Sequence, residues 1–224
     1  MILDDINKFL FIHIPKTGGS TIKNSLVCEN SDHQYTSLGQ VLRWRRRHFV
    51  PIKQPKKLIE KDDEDRIINY HNTTYRISRS VAINTYFKFA FVRNPWDRLV
   101  SHYHYLVQYW DFLKKHPLTF KDWVLNSQSK EGDSFLDNHS ITQFNYVSNP
   151  KTKELLLDFV GRFENLQEDF DKVCKIIDMP SQKLNVINTS RHEHYTKYYN
   201  EDTKNIIGDH FRKDVEYFGY KFGE

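Results

Sequence analysis

Residues 9–21 read FLFIHIPKTGGST. Phe9–Ile14 is almost wholly apolar, the pattern of a strand buried on both faces. Pro15 ends it, Lys16 follows, and Gly18 and Gly19 lead into a helix expected from about Thr21 to Val27. The glycines let the chain turn tightly and bring its N–H groups close to a ligand. Unpaired N–H groups and the positive end of the helix dipole favour a phosphate-like anion there. Thr17, Ser20 and Thr21 lie around this turn; the Ser20 and Thr21 hydroxyls add donors and Lys16 adds a mobile point charge. The lysine precedes the glycines, whereas G-x-x-x-x-G-K-[ST] nucleotide loops place it after them.

Further along, FKFAFV (Phe87–Val92) reads as a second strand, followed by RNPWDRLVSHYHYLVQYW. Asn94 can cap the next helix, Pro95 suits its first turn, and Asp97 stands where a capping-box acid would. Trp96, Leu99, Tyr103, Leu106 and Trp110 recur at helical spacing and are expected to face the core. A third strand is expected around Leu155–Phe163. It leads to a helix capped by Asn165 with Glu168 three residues on, burying Leu166, Phe170, Val173 and Ile177. A last helix is expected from about Glu201 to Tyr217. Strands alternating with helices imply an α/β domain with a central parallel sheet flanked by helices. Ligands of such sheets sit beyond the carboxyl ends of the strands, where both PKTGGST and RNPWDR fall. The reading is one domain over 1–224, with a polar insertion at about 29–85 carrying short helices.

The 224 residues are 38% hydrophobic and 15% aromatic, enough for a packed core. The formal charge of +4 is too mild to indicate nucleic acid. Two cysteines, Cys28 and Cys174, give no disulfide framework and fit a reducing compartment. No signal peptide or membrane-spanning run is legible, so the expected location is cytoplasmic and the sequons at Asn72, Asn138 and Asn188 read as chance. Arg43–Arg47 holds four arginines, readable as a solvated face or as a patch for an anionic partner.

Arg93 ends a buried strand, where its charge needs an anionic partner, either a ligand or a structural carboxylate. Ser101, two turns into the following helix, lies on the side of Asp97. An arginine and a serine so placed can grip a second anion.

FIHIPKTGGSTIKNSL resembles the loop with which sulfotransferases hold the 5′-phosphosulfate of 3′-phosphoadenosine 5′-phosphosulfate (PAPS). FKFAFVRNPWDRLVSHYHYL resembles their 3′-phosphate segment. DFVGRFENLQEDFDKVCKIIDM and DVEYFGY are similar to later parts of the carbohydrate, or heparan-type, group. The resemblance implies a P-loop-NTPase-like three-layer fold and metal-independent, in-line sulfuryl transfer from PAPS to an acceptor hydroxyl. The acceptor would be a glycan, glycolipid or small hydroxylated metabolite. It also implies roles: Lys16 at the phosphosulfate, Thr17, Gly18, Gly19, Ser20 and Thr21 around the 5′ end, and Arg93 and Ser101 on the 3′-phosphate. Ser190–Tyr199 would correspond to a loop touching the nucleotide, with Arg191 and Lys197 as possible contacts. The resemblance also places a general base at His71, a residue type suited to the task by its pKa, with His192, His194 and Glu29 as rivals. Two other readings stay open at this point. One is a P-loop kinase, in which Leu155–Asp158 supplies a magnesium-binding aspartate; the other is a nucleotide- or glycan-binding module without turnover.

Overall fold

A computed structural model of the chain describes residues 2–4, 7–26, 65–70, 73–78, 85–109, 118–126, 142–185 and 192–224. Its strands are β1 (Ile2–Asp4), β2 (Phe9–Ile12), β3 (Asp65–Tyr70), β4 (Thr73–Ser78), β5 (Phe87–Val92) and β6 (Phe159–Arg162). Its helices are α1 (Gly19–Ser25), α2 (Pro95–Tyr109), α3 (Phe120–Asn126), α4 (Gln143–Val147), α5 (Leu166–Ile176), α6 (Glu201–His210) and α7 (Arg212–Phe218). The main sheet runs β1-β2-β5-β6, with β2, β5 and β6 parallel. β1, unforeseen in the sequence, pairs antiparallel with β2 at the edge.

Alternation along the strands builds three layers. Phe9, Phe11, Phe89 and Phe91 face Ile22 and Leu26 of the α1 segment and Phe170 and Val173 of α5. Leu10, Ile12, Ala90 and Val92 face the other way, against Phe144, Tyr146, Val147, Phe218 and Tyr220. Burying each such side chain contributes about 1.5–3 kcal/mol. Gly161 stands beside Phe91 in register, and a Cβ there would lie 2.4 Å from the Phe91 ring. The glycine makes room for the aromatic layer. A separate cluster of Trp96, Leu99, Val100, Trp123, Tyr195, Ile207 and Phe211 fixes α2 against α3 and α6.

Several expectations change in detail. Residues 65–70 and 73–78 of the expected insertion form an antiparallel β3–β4 hairpin, and most of the rest of 29–85, where short helices are expected, lies outside the described residues. α1 begins at Gly19, earlier than Thr21. The third strand begins only at Phe159, because Leu155 pairs back in an antiparallel bridge with Ser148. Asn165 precedes α5 but makes no side-chain cap. The last helix breaks at Phe211, whose buried ring lies in the α2–α6 cluster, and α6 is opened by a capping box between Asn200 and Thr203. Trp110 lies outside the described residues. None of the described helices is long and apolar enough to cross a membrane.

Candidate active site

The loop between β2 and α1 is held from below. The Thr17 hydroxyl donates to the Ile14 carbonyl at 2.9 Å, and the buried Arg98 donates from Nε to the Pro15 carbonyl at 3.0 Å. Lys16 and Gly18 both adopt left-handed backbone, at φ 67° and 79°. Glycine accepts that conformation readily; a lysine does so at a cost of order 1 kcal/mol or more, tolerated only where the surroundings over-determine it. Gly18 is also the N-cap of α1 and supplies no side-chain cap. Gly19 is required for another reason: a Cβ there would lie 2.0 Å from the ring of buried His13.

The Lys16 ammonium lies 4.5 Å from the centre of the Tyr105 ring. Burial first, and then the neighbouring Arg93 charge, lowers its pKa from 10.5 to about 8. Among the described residues, no anionic side chain offsets either effect.

Arg93, at the tip of β5, is 8% exposed. Its Nε donates to Asp97 at 2.8 Å, another guanidinium nitrogen donates to the Lys16 carbonyl at 3.2 Å, and its plane lies 4.0 Å over the Phe163 ring. Arg93 therefore has the structural carboxylate of one of its two readings, and it also reaches the glycine loop through the Lys16 carbonyl. Asp97 is thus occupied with Arg93 instead of closing a capping box, while Asn94 does cap α2 by accepting from the Trp96 N–H at 3.2 Å.

Beneath Arg93 is a side chain that sequence reading passed over. Gln143, wholly buried at the start of α4, accepts from the Arg93 N–H at 2.9 Å and donates to the Arg93 carbonyl at 2.8 Å. It pairs with the strand tip as another peptide group would. Asp214, also buried, accepts the Gln143 and Phe144 N–H groups at 2.8 Å each. Burial pushes the Asp214 carboxyl above its ordinary range, while the Arg98 charge and these N–H donors pull it back.

Two segments 77 residues apart thus meet at a pair of cations. A sulfotransferase-family sequence model matches residues 1–221. The chain belongs to the sulfotransferase family. An uncharacterized protein of Archaeoglobus fulgidus is 33% identical over 112 residues, covering 50% of this chain and 84% of that protein. No solved structure matches.

The α/β fold of this sulfotransferase, with its parallel strands flanked by helices, agrees with the P-loop-like architecture expected from the sequence. Thr17 is buried with its hydroxyl committed to Ile14, so only its backbone can serve a ligand. Ser20 is half-buried in the first turn of α1; Thr21 is buried beside it. Ser101 is 5% exposed on α2, two turns beyond Arg93. His71, Glu29, Arg43–Arg47, Arg191 and the three sequons lie outside the described residues. Of the remaining rivals, His194 is exposed and bonds Thr196 at 2.8 Å. His192 stacks on His104 at 5.0 Å, and His104 bonds the Tyr198 hydroxyl at 3.0 Å. Lys197 is exposed and paired with Glu193 at 2.9 Å.

Asp158 decides against the magnesium-site reading. It precedes β6, half exposed, and pairs with Lys88 near the start of β5 at 2.8 Å. That is the amino end of the parallel strands, the opposite edge from Lys16.

Proposed function

We propose that this sulfotransferase uses PAPS to sulfate a hydroxyl, on a carbohydrate or glycoconjugate in preference to a small metabolite. The observation that carries the reading is the junction of Lys16 and Arg93: two cations from the two motifs, touching through the Lys16 carbonyl, with Ser101 farther along α2. Two such centres suit a nucleotide with anions at both its 5′ and 3′ positions. The glycine loop fits that ligand as well, because left-handed Gly18 and side-chain-free Gly19 bring backbone close to it.

When bound, PAPS supplies an activated sulfuryl group on its 5′-phosphate. Lys16 faces the leaving phosphate oxygen and stabilises its developing charge. Arg93 and Ser101 hold the 3′-phosphate and fix the register. The base, for which His71 is the proposed residue, takes the acceptor's hydroxyl proton as its oxygen bonds to sulfur. The sulfur–oxygen bond to the 5′-phosphate breaks, giving the sulfate ester and adenosine 3′,5′-bisphosphate. No step calls on a metal ion. The low cysteine count supports action in a reducing, cytoplasmic setting.

Calorimetric titration tests this. Metal-independent binding of adenosine 3′,5′-bisphosphate is expected, and preference for ATP with magnesium would overturn the reading. His71→Ala is expected to keep bisphosphate affinity and abolish transfer from labelled PAPS to a glycan panel. Bisphosphate binding without product in the unmodified enzyme would mark a binding module.

A further inference from the structure

α2 continues past Ser101 to expose two tyrosines. Tyr105 and Tyr109 are 43% and 58% exposed, with ring centres 4.9 Å apart and planes inclined at 41°. They stand one helical turn apart, so their rings form a short strip along the helix. The strip starts at the transfer site, since the Lys16 ammonium sits on the Tyr105 ring at 4.5 Å. Exposed tyrosines are ordinary by themselves, and Tyr217 is exposed as well; what sets Tyr105 and Tyr109 apart is that they stand together, with one of them under the Lys16 ammonium.

We infer that Tyr105 and Tyr109 form the platform on which the acceptor rests, and that the acceptor is a saccharide laid with the C–H face of a ring against them. The inference deepens the proposed sulfuryl transfer and rests on it. In-line displacement puts the acceptor oxygen across sulfur from the leaving oxygen that Lys16 faces, with reacting atoms about 3 Å apart. A sugar ring carrying that oxygen extends over whatever borders Lys16, and Tyr105 borders it.

The openness of the strip selects the class. An apolar aromatic acceptor gains affinity by enclosure, in proportion to the area it withdraws from water. Two rings this exposed cannot enclose a ligand. A pyranose has one apolar C–H face and keeps its hydroxyls hydrated, which is what a one-sided platform allows. The tyrosine hydroxyls add polar contacts at the ring margins. Two rings one turn apart also match successive rings of an oligosaccharide better than a single small metabolite.

Saturation-transfer NMR on the full chain loaded with adenosine 3′,5′-bisphosphate tests the platform, using cellobiose, lactose and chitobiose as probes and 2-naphthol as the contrasting arm. The expected result is saturation of the ring C–H protons of at least one disaccharide. Tyr109→Ser is expected to weaken that binding about threefold or more, the size of a lost aromatic contact. It touches neither Lys16 nor the core, so bisphosphate affinity should stay within about twofold. Tyr105→Leu is expected to weaken the disaccharide as well. Saturation of 2-naphthol alone, of no disaccharide, or of disaccharides undiminished in both variants would overturn the platform. Failure of the underlying sulfuryl-transfer reading looks different, because the bisphosphate itself would not bind.

Discussion

The two sides of the site are built on different principles. On the donor side, backbone is tied down by buried side chains: Pro15 by Arg98, Arg93 by Gln143, Gln143 by Asp214, and Lys16 by Arg93. On the proposed acceptor side, Tyr105 and Tyr109 stand in solvent on one helix. The contrast follows from what each must recognise. Anions are held by preorganised charge whose geometry is set before binding, since reorganisation would dissipate the gain. A sugar face is held by surface that can adapt, with little dependence on a fixed hydrogen-bond pattern.

If the donor side works through preorganised charge, its largest effect belongs to the residue nearest the transferred group. Lys16→Met is expected to lower kcat by about a thousandfold while weakening bisphosphate binding about tenfold, because the charge matters most as the leaving oxygen becomes anionic. Steady-state kinetics beside calorimetry checks the split. Equal losses in both would make Lys16 a binding residue only, and the two sides would then differ less than their construction suggests.

The next effect is on the buried support. Gln143→Leu keeps volume but strands the Arg93 N–H and carbonyl, and each unsatisfied buried group costs about 1–3 kcal/mol. The denaturation midpoint should fall accordingly. The functional mark is narrower: affinity for adenosine 3′,5′-bisphosphate should fall more than affinity for adenosine 5′-monophosphate, since Arg93 is displaced while Arg98 and Thr17 still hold the loop. A parallel fall in both would give Gln143 a purely structural part.

Gly19→Ala tests the loop by sterics. Its Cβ would overlap the His13 ring at 2.0 Å, so either must move. A cost of about 1–3 kcal/mol is expected from overpacking, with weaker bisphosphate binding. The double variant with His13→Ala should recover most of the stability, as a thermal unfolding cycle would show. Without recovery, the glycine would be needed for backbone freedom rather than space.

These differences also set what the sequence could reveal. The strand cores of β2 and β5 were legible because residues on both faces are apolar, and Lys16, Gly18, Gly19 and Arg93 stood out because a glycine pair before a helix and a cation at a buried strand tip are types that packing alone seldom places there. Gln143, Arg98 and Asp214 were not. A buried polar side chain in a helix looks like any solvated one until tertiary structure shows which backbone group it satisfies. His13 and Gly19 are six residues apart, and their overlap follows only from the turn between them. β1 is three residues long, too short for a periodic signal, and the split at Phe211 answers to packing in another helix layer. Tyr105 and Tyr109 belong to a run whose spacing says helix; their exposure and their position beside Lys16 come from the way α2 lies on the loop.

The smallest effect, and the one most specific to the donor side, is a pH dependence. With its pKa lowered to about 8, Lys16 in the unliganded protein is charged at neutral pH and neutral above pH 9. Anion binding favours the charged form, so the bound state retains the proton that the unliganded state loses. Affinity for adenosine 3′,5′-bisphosphate should therefore be level up to about pH 7, begin to weaken near pH 8 and fall above it by about tenfold per pH unit at most. The phosphate groups do not confuse the window, because their last ionisation is near pH 6. The Lys16→Met variant should bind more weakly at neutral pH but lose this dependence. Saccharide binding to the bisphosphate-loaded protein should vary little over the same range, because the bound nucleotide keeps Lys16 protonated. A matching decline in saccharide binding would mean that the ammonium over Tyr105 belongs to both sides of the site, and would erase the boundary drawn between them.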